Sequence, residues 1–158
     1  MHQDVTAARA HAAIDDGLPS ALTKISVLVV DDQANMVRMI RRVLRDLGFA
    51  DISEAHDGQA ALALMETRTY GLIISDLRME PMDGLALLRA VRGHEQRAST
   101  PFIMLTGVGD RDRIIAAKEA GVSDYVVKPF TIQTLKRKLE KLLGSTQRSE
   151  TAAGERCD

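Results

Sequence analysis

The chain of 158 residues has a single cysteine, Cys157, no tryptophan and only four prolines. A lone thiol allows no disulfide framework within one chain, which suits a reducing compartment. An excess of one charge is also lacking: 21 basic and 22 acidic side chains leave a formal net charge of -1. That balance argues against a protein that binds nucleic acid by blanket phosphate neutralisation. Long apolar runs are missing too, since stretches such as "VLVV" fall far short of the roughly 20 residues that span a bilayer. The opening MHQDVTAARAHAAIDDGLPS carries Asp4, Asp15 and Asp16 and no apolar segment of the kind a signal peptide needs. A soluble, cytoplasmic protein with no membrane insertion is the expectation. The histidines His2, His11, His56 and His94 are scattered without zinc-ligand spacing and read as exposed polar residues.

What is present is a regular alternation. Residues 1–24 read as a flexible, Ala-rich and polar N-terminal extension, with a short helix over Ala7–Ile14 and a break at Gly17 and Pro19. From Ile25 short apolar runs recur at 25–30, 72–75, 102–105 and 125–127, with a more polar one at 51–54. Helical spacing fills the intervals. Met36, Ile40, Val43, Leu44 and Leu47 share one face, with Arg38, Arg41, Arg42 and Arg45 largely outside it. Leu85 and Leu88 mark a later helix, and Ile114, Ile115 and Ala117 another. Ile132, Leu135, Leu139 and Leu142 stripe the last, flanked by Lys136, Arg137, Lys138 and Lys141. Gly48, Gly121 and Gly144 stand where helix C-caps are expected, and 145–158 reads as a disordered polar tail. The alternation predicts an α/β domain over 25–144: a five-stranded parallel sheet with helices on both faces.

In such sheets ligands bind outside the carboxyl ends of the strands, so the residues that follow each run carry the information. The stretch "SVLVVDDQAN" ends its first strand in Asp31 and Asp32. The third run is followed by Asp76, the fourth by Thr106 and Gly107, and the fifth by Lys128 and Pro129. Each has an ordinary reading alone: Asp32 as a cap for a helix beginning near Gln33, Asp76 as a turn residue, Lys128 as a surface charge. Together the acids are harder to dismiss. Carboxylates 4 Å apart repel by about 4 kcal/mol at an effective dielectric of 20, more than one cap returns. A divalent cation reverses that sign, and an all-oxygen set favours Mg²⁺, with Mn²⁺ possible, over zinc. A metal, a lysine, a threonine hydroxyl and the space beside Gly107 suit a phosphoryl group, with Asp76 as the nucleophile that forms an acyl phosphate.

The segments "VVDD", "SDLRMEPMDG", "MLTG" and "DYVVKPF" stand in order, and from Ile25 to Leu143 the chain resembles the receiver domain of two-component response regulators. It looks most like the stand-alone chemotaxis regulators, through "GVSDYVVKPFTIQTLKRKLEKLLG". The resemblance implies a flavodoxin-like sheet of order 2-1-3-4-5. It implies Mg²⁺ held by Asp31, Asp32, Asp76 and the backbone carbonyl of Arg78, and a phosphoryl group passed to Asp76 by a sensor histidine kinase. Thr106 and Lys128 would contact the phosphoryl group, Tyr125 would change rotamer with Thr106, and the Lys128–Pro129 bond would be cis. The family commonly has proline four residues after the acceptor, where this chain has Glu80 followed by Pro81. Arg78 sits where the family tunes phosphoryl lifetime. Met79 and Met82 read as packing residues.

A phosphorylation-switched signalling module, rather than an enzyme, is therefore the expected function, with a protein target as output. A phosphorelay intermediate serving a histidine phosphotransfer protein is the alternative. A small Mg²⁺-dependent acyl-phosphate hydrolase fits less well, because no cap domain or dedicated acid/base is evident. DNA is not an expected partner, as no helix-turn-helix follows Gly144.

Overall fold

The computed structural model describes the backbone of residues 20–157 and the side chains of residues 22–144. The short helix expected over Ala7–Ile14 lies outside the described residues. After a helical turn at Ser20–Thr23, five β-α units follow: β1 Val27–Val30, α1 Ala34–Leu47, β2 Ile52–Ala55, α2 Gly58–Thr67, β3 Leu72–Asp76, α3 Gly84–Arg92, β4 Phe102–Thr106, α4 Arg111–Glu119, β5 Asp124–Val127 and α5 Ile132–Cys157. The strands form one parallel sheet of order β2-β1-β3-β4-β5, the flavodoxin-like receiver arrangement.

The residue pattern explains the layers. β1, β3 and β4 are buried along their whole length, as strands covered on both faces must be. Alternate side chains feed two cores. Val27, Val29, Leu72, Ile74, Ile103 and Leu105 pack with α1 and α5. Leu28, Val30, Ile73, Phe102 and Met104 pack with α2, α3 and α4. Val37, Ile40, Val43, Leu44 and Leu47 form the buried face of α1, so Val37 takes the place expected for Met36, which is half-buried. The α1 helix ends at Gly48, whose φ of 109° is left-handed and suits a residue without Cβ. On α5 the buried stripe is Leu135, Leu139 and Leu143, while Ile132 is left 54% exposed. On α4 only Ala117 is fully buried.

Two boundaries differ from the sequence expectation. Gly144 does not end the last helix, which continues to Cys157 through the segment read as a disordered tail. That segment carries two Ala, two Glu and two Arg and has no proline, so nothing in it forbids a helix, and the backbone continues past both Gly144 and Gly154. Asp32 does not cap α1. Gln33 occupies the N-cap position without a side-chain bond, and Asp31 Oδ1 accepts the Gln33 N–H at 2.9 Å instead.

Candidate functional site

Register explains why distant residues meet. Val30 lies opposite Ser75, so the next residues, Asp31 and Asp76, leave adjacent strands side by side. Asp76 in turn lies opposite Leu105, which places Thr106 one step beyond it on β4. Thr106 pairs with Val127, and Lys128 follows. The carboxyl ends of four neighbouring strands, β1, β3, β4 and β5, thus converge on one edge.

Asp31 and Thr106 are fully buried and Asp76 nearly so, whereas Asp32 faces solvent. One carboxylate oxygen from each of Asp31, Asp32 and Asp76 lies within 4.8 Å of the others. Lys128 reaches across β4 to this group, its Nζ 2.9 Å from Asp76 Oδ1 and 3.4 Å from Asp31 Oδ2. Its backbone N–H donates to the Thr106 carbonyl at 2.6 Å, which ties the lysine's origin to the end of β4. Both the Lys128–Pro129 and Glu80–Pro81 peptide bonds are cis.

One ammonium among three carboxylates leaves the cluster short of positive charge, and the buried acids register it. Burial above all pushes the Asp31 carboxyl above the ordinary carboxylate range, against the Gln33 N–H, and the Asp76 charge adds to the rise. Burial likewise raises Asp76, offset in part by Lys128 and increased by Asp32. Convergent carboxylate oxygens with a charge deficit are a donor set that fits a hard divalent cation such as Mg²⁺.

The flanking elements are fixed by backbone contacts. Gly84 opens α3 so close to β3 that a Cβ there would lie 2.2 Å from the Asp76 carbonyl oxygen. Its N–H donates to the Leu77 carbonyl at 2.9 Å. The Thr106 hydroxyl lies 3.5 Å from the Val126 carbonyl, a long contact that leaves it weakly held. Tyr125, half-buried on β5, lies beneath two ammonium groups, Lys118 Nζ at 5.2 Å and Lys138 Nζ at 5.6 Å from the ring centroid.

One residue of this edge was not anticipated from the sequence. Asp110 is 3% exposed, stands at the N-cap of α4, and makes no side-chain bond to that helix. Its Oδ2 accepts the Gly107 N–H at 2.7 Å. Its Oδ1 accepts Arg78 Nε–H at 2.9 Å, and Arg78 Nη2 pairs with the same oxygen. Arg78 holds the Asp110 carboxyl below the ordinary range. The space expected beside Gly107 is partly taken by this carboxylate, since a Cβ on Gly107 would lie 3.2 Å from Asp110 Oδ2. In sequence, Asp before an Arg-rich helix looks like an ordinary cap, and only the fold shows where its oxygens go.

A doubly wound parallel sheet with an acidic cluster and a lysine at its carboxyl edge defines an α/β domain whose binding site lies at the strand ends. Residues 27–140 match the response regulator receiver domain family, and the chain belongs to that family. It is 46% identical over 118 residues to the chemotaxis protein CheY of Pseudomonas aeruginosa, a match covering 75% of this chain and 95% of that one. Among solved structures, the chemotaxis response regulator CheY4 of Vibrio cholerae is similar, with a TM-score of 0.70 and 34% identity over 76% of this chain and 99% of that one. The receiver domain of sensor histidine kinase PA1611 from Pseudomonas aeruginosa is similar as well, with a TM-score of 0.68 and 31% identity over 77% of this chain and 98% of that one. It holds a magnesium ion in its active-site cleft. The chain is thus a CheY-like receiver, a two-component signalling domain rather than a conventional enzyme. No helix among the described residues is long and apolar enough to cross a membrane.

Proposed function

We propose that Asp76 is the phosphoacceptor of this receiver, charged by a sensor histidine kinase, and that phosphorylation switches its affinity for a protein target. The observation that carries this reading is the placement of Lys128 Nζ, 2.9 Å from Asp76 within a cluster of three carboxylates. An Asp76 oxygen attacks phosphorus, the bond to the donor nitrogen breaks, and the donor histidine keeps the electron pair. Lys128, paired with the acceptor, and the Thr106 hydroxyl, from the adjacent strand end, would take the phosphoryl oxygens. Asp31, Asp32 and Asp76, with the Arg78 carbonyl, would hold Mg²⁺, which when bound supplies positive charge to the transferring group.

Output runs through the surface formed by α4, β5 and α5. A Thr106 hydroxyl drawn toward the phosphoryl group vacates space beside Tyr125, the ring that spans these elements between Lys118 and Lys138. Transfer onward to a histidine phosphotransfer protein uses the same acceptor chemistry in reverse.

The test is mass spectrometry after incubation with acetyl phosphate. Wild type should gain one phosphoryl mass with Mg²⁺ and none with EDTA, and Asp76→Asn should gain none in either. Phosphorylation of the Asp76→Asn variant would overturn the assignment.

A further inference from the structure

The buried Asp110 carboxylate needs a reason. Burying a carboxylate is costly unless it is paired and hydrogen-bonded, and an N-cap role does not account for it, because its side chain makes no bond to α4. Its two oxygens instead gather one donor from each of the two loops beside the acceptor. The Arg78 guanidinium comes from the β3–α3 loop, two residues after Asp76. The Gly107 N–H comes from the β4–α4 loop, one residue after Thr106. The pair is asymmetric: the Asp110 side chain is 1% exposed and that of Arg78 65%. The arginine therefore has room to move, while the aspartate does not.

We propose that Asp110 is a positioning residue for phosphoryl transfer: in the unphosphorylated protein its carboxylate holds the Arg78 guanidinium and the Gly107 N–H, and a phosphoryl group on Asp76 takes those donors from it. The inference rests on Asp76 being the acceptor. When an Asp76 oxygen bonds to phosphorus and the leaving group departs with its electron pair, a singly charged carboxylate becomes an acyl phosphate of roughly two negative charges. That group outcompetes the single charge of Asp110 for a mobile guanidinium, because charge-assisted bonds strengthen with the acceptor's charge. Loss of both donors then unpins the loop from Gly107 to Asp110, which leads directly into α4. The same pair acts as a brake on the forward reaction, since donors held by Asp110 are withheld from charge developing in the transition state.

The test compares acetyl-phosphate phosphorylation rates, with Mg²⁺, in wild type, Asp110→Asn, Arg78→Gln and the double variant. Asp110→Asn keeps the shape but loses the charge, and should be phosphorylated about three- to tenfold faster than wild type. In the Arg78→Gln background the same change should accelerate the reaction by less than about twofold. A structural role alone would lower the melting temperature and leave the rate unmoved. An unchanged rate in Asp110→Asn, or equal acceleration with and without Arg78, overturns the inference. A second measurement needs no variant: NMR of the wild-type protein with beryllofluoride, a stable phosphoryl mimic, should move both the Gly107 amide and the Arg78 Nε–H resonances. An Arg78 resonance that stays in place is equally fatal. Wild type that gains no phosphate on Asp76 sinks the acceptor assignment and this inference with it. Normal phosphorylation with invariant rates sinks the inference alone.

Discussion

At the scale of single residues, the site places charge where burial disfavours it. Burial raises the Asp31 and Asp76 carboxyls above the ordinary aspartate value of 3.8. A raised acid binds more protons in the native state than in the unfolded chain between those two values, so it lowers stability as pH rises through that window. In EDTA, Asp31→Asn should therefore be more stable than wild type at neutral pH, the amide oxygen keeping the Gln33 N–H bond. The advantage should shrink as pH falls toward 3.8 and vanish below it; urea melts across that range measure it. An Asp31→Asn variant less stable than wild type at pH 7 would mean that the Lys128 contact outweighs desolvation. Gly84 is constrained in the opposite sense, by space. A Cβ 2.2 Å from a backbone oxygen must push α3 off β3. Gly84→Ala should cost about 1–3 kcal/mol by chemical denaturation, the range for overpacking a tight site.

At the scale of elements, three aspartates occupy helix N-cap positions and only two of them bond to the helix they precede. Asp57 accepts the Ala60 N–H at 2.9 Å and Asp83 the Ala86 N–H at 2.8 Å, each satisfying a donor that the first helical turn leaves open. Asp83→Ala should cost about 0.5–2 kcal/mol in thermal or urea melts with little change in cooperativity. Asp110 looks the same in sequence, yet spends its oxygens on Gly107 and Arg78. This marks the limit of what local pattern reveals. The buried faces of α1 and α5 were legible because they repeat at helical spacing, with Ile40, Val43, Leu44 and Leu47 or Leu135 and Leu139 on one side. The α4 face was not. Ile115 reads as core beside Ile114 and Ala117 but is 48% exposed, because α4 offers the sheet only one fully buried side chain. The helix beyond Gly144 was missed for a related reason, since polar composition resembles disorder and does not forbid a helix.

At the scale of the whole molecule, the strand alternation and the acids at the strand ends made the sheet and the acidic edge legible. The Arg78–Asp110 tie was not, because it joins positions 32 residues apart through a turn that only the folded sheet brings near. The molecule's exposed apolar side chains follow the same logic of position. Val108, Ile115, Val127 and Ile132, exposed by 84%, 48%, 39% and 54%, come from the β4–α4 loop, α4, β5 and α5. Ile115 and Val127 belong to α4 and to β5, the strand that carries Tyr125, whereas Ile132 lines a groove with Val43 and Leu47 of α1. The basic residues of α5 are less uniform than their sequence suggests: Lys138 is tied to Asp124 at 2.9 Å, while Arg137 and Lys141 are exposed. Apolar contact should therefore set the lifetime of a complex on this face, and Arg137 and Lys141 its rate of formation with an acidic partner. With a target captured from lysate on the phosphorylated protein, Ile115→Ser should weaken binding about tenfold, as expected for losing roughly 1.4 kcal/mol of buried apolar contact. Phosphorylation of Asp76 by acetyl phosphate should be unchanged in that variant. Neutralising Arg137 and Lys141 should slow association and flatten its salt dependence, with little effect on dissociation. Phosphorylation itself should tighten the complex about 5–150-fold, the span of a coupling energy of roughly 1–3 kcal/mol. Equal capture by both phosphorylation states would remove the switch, and a target indifferent to Ile115→Ser would move its docking site off this face.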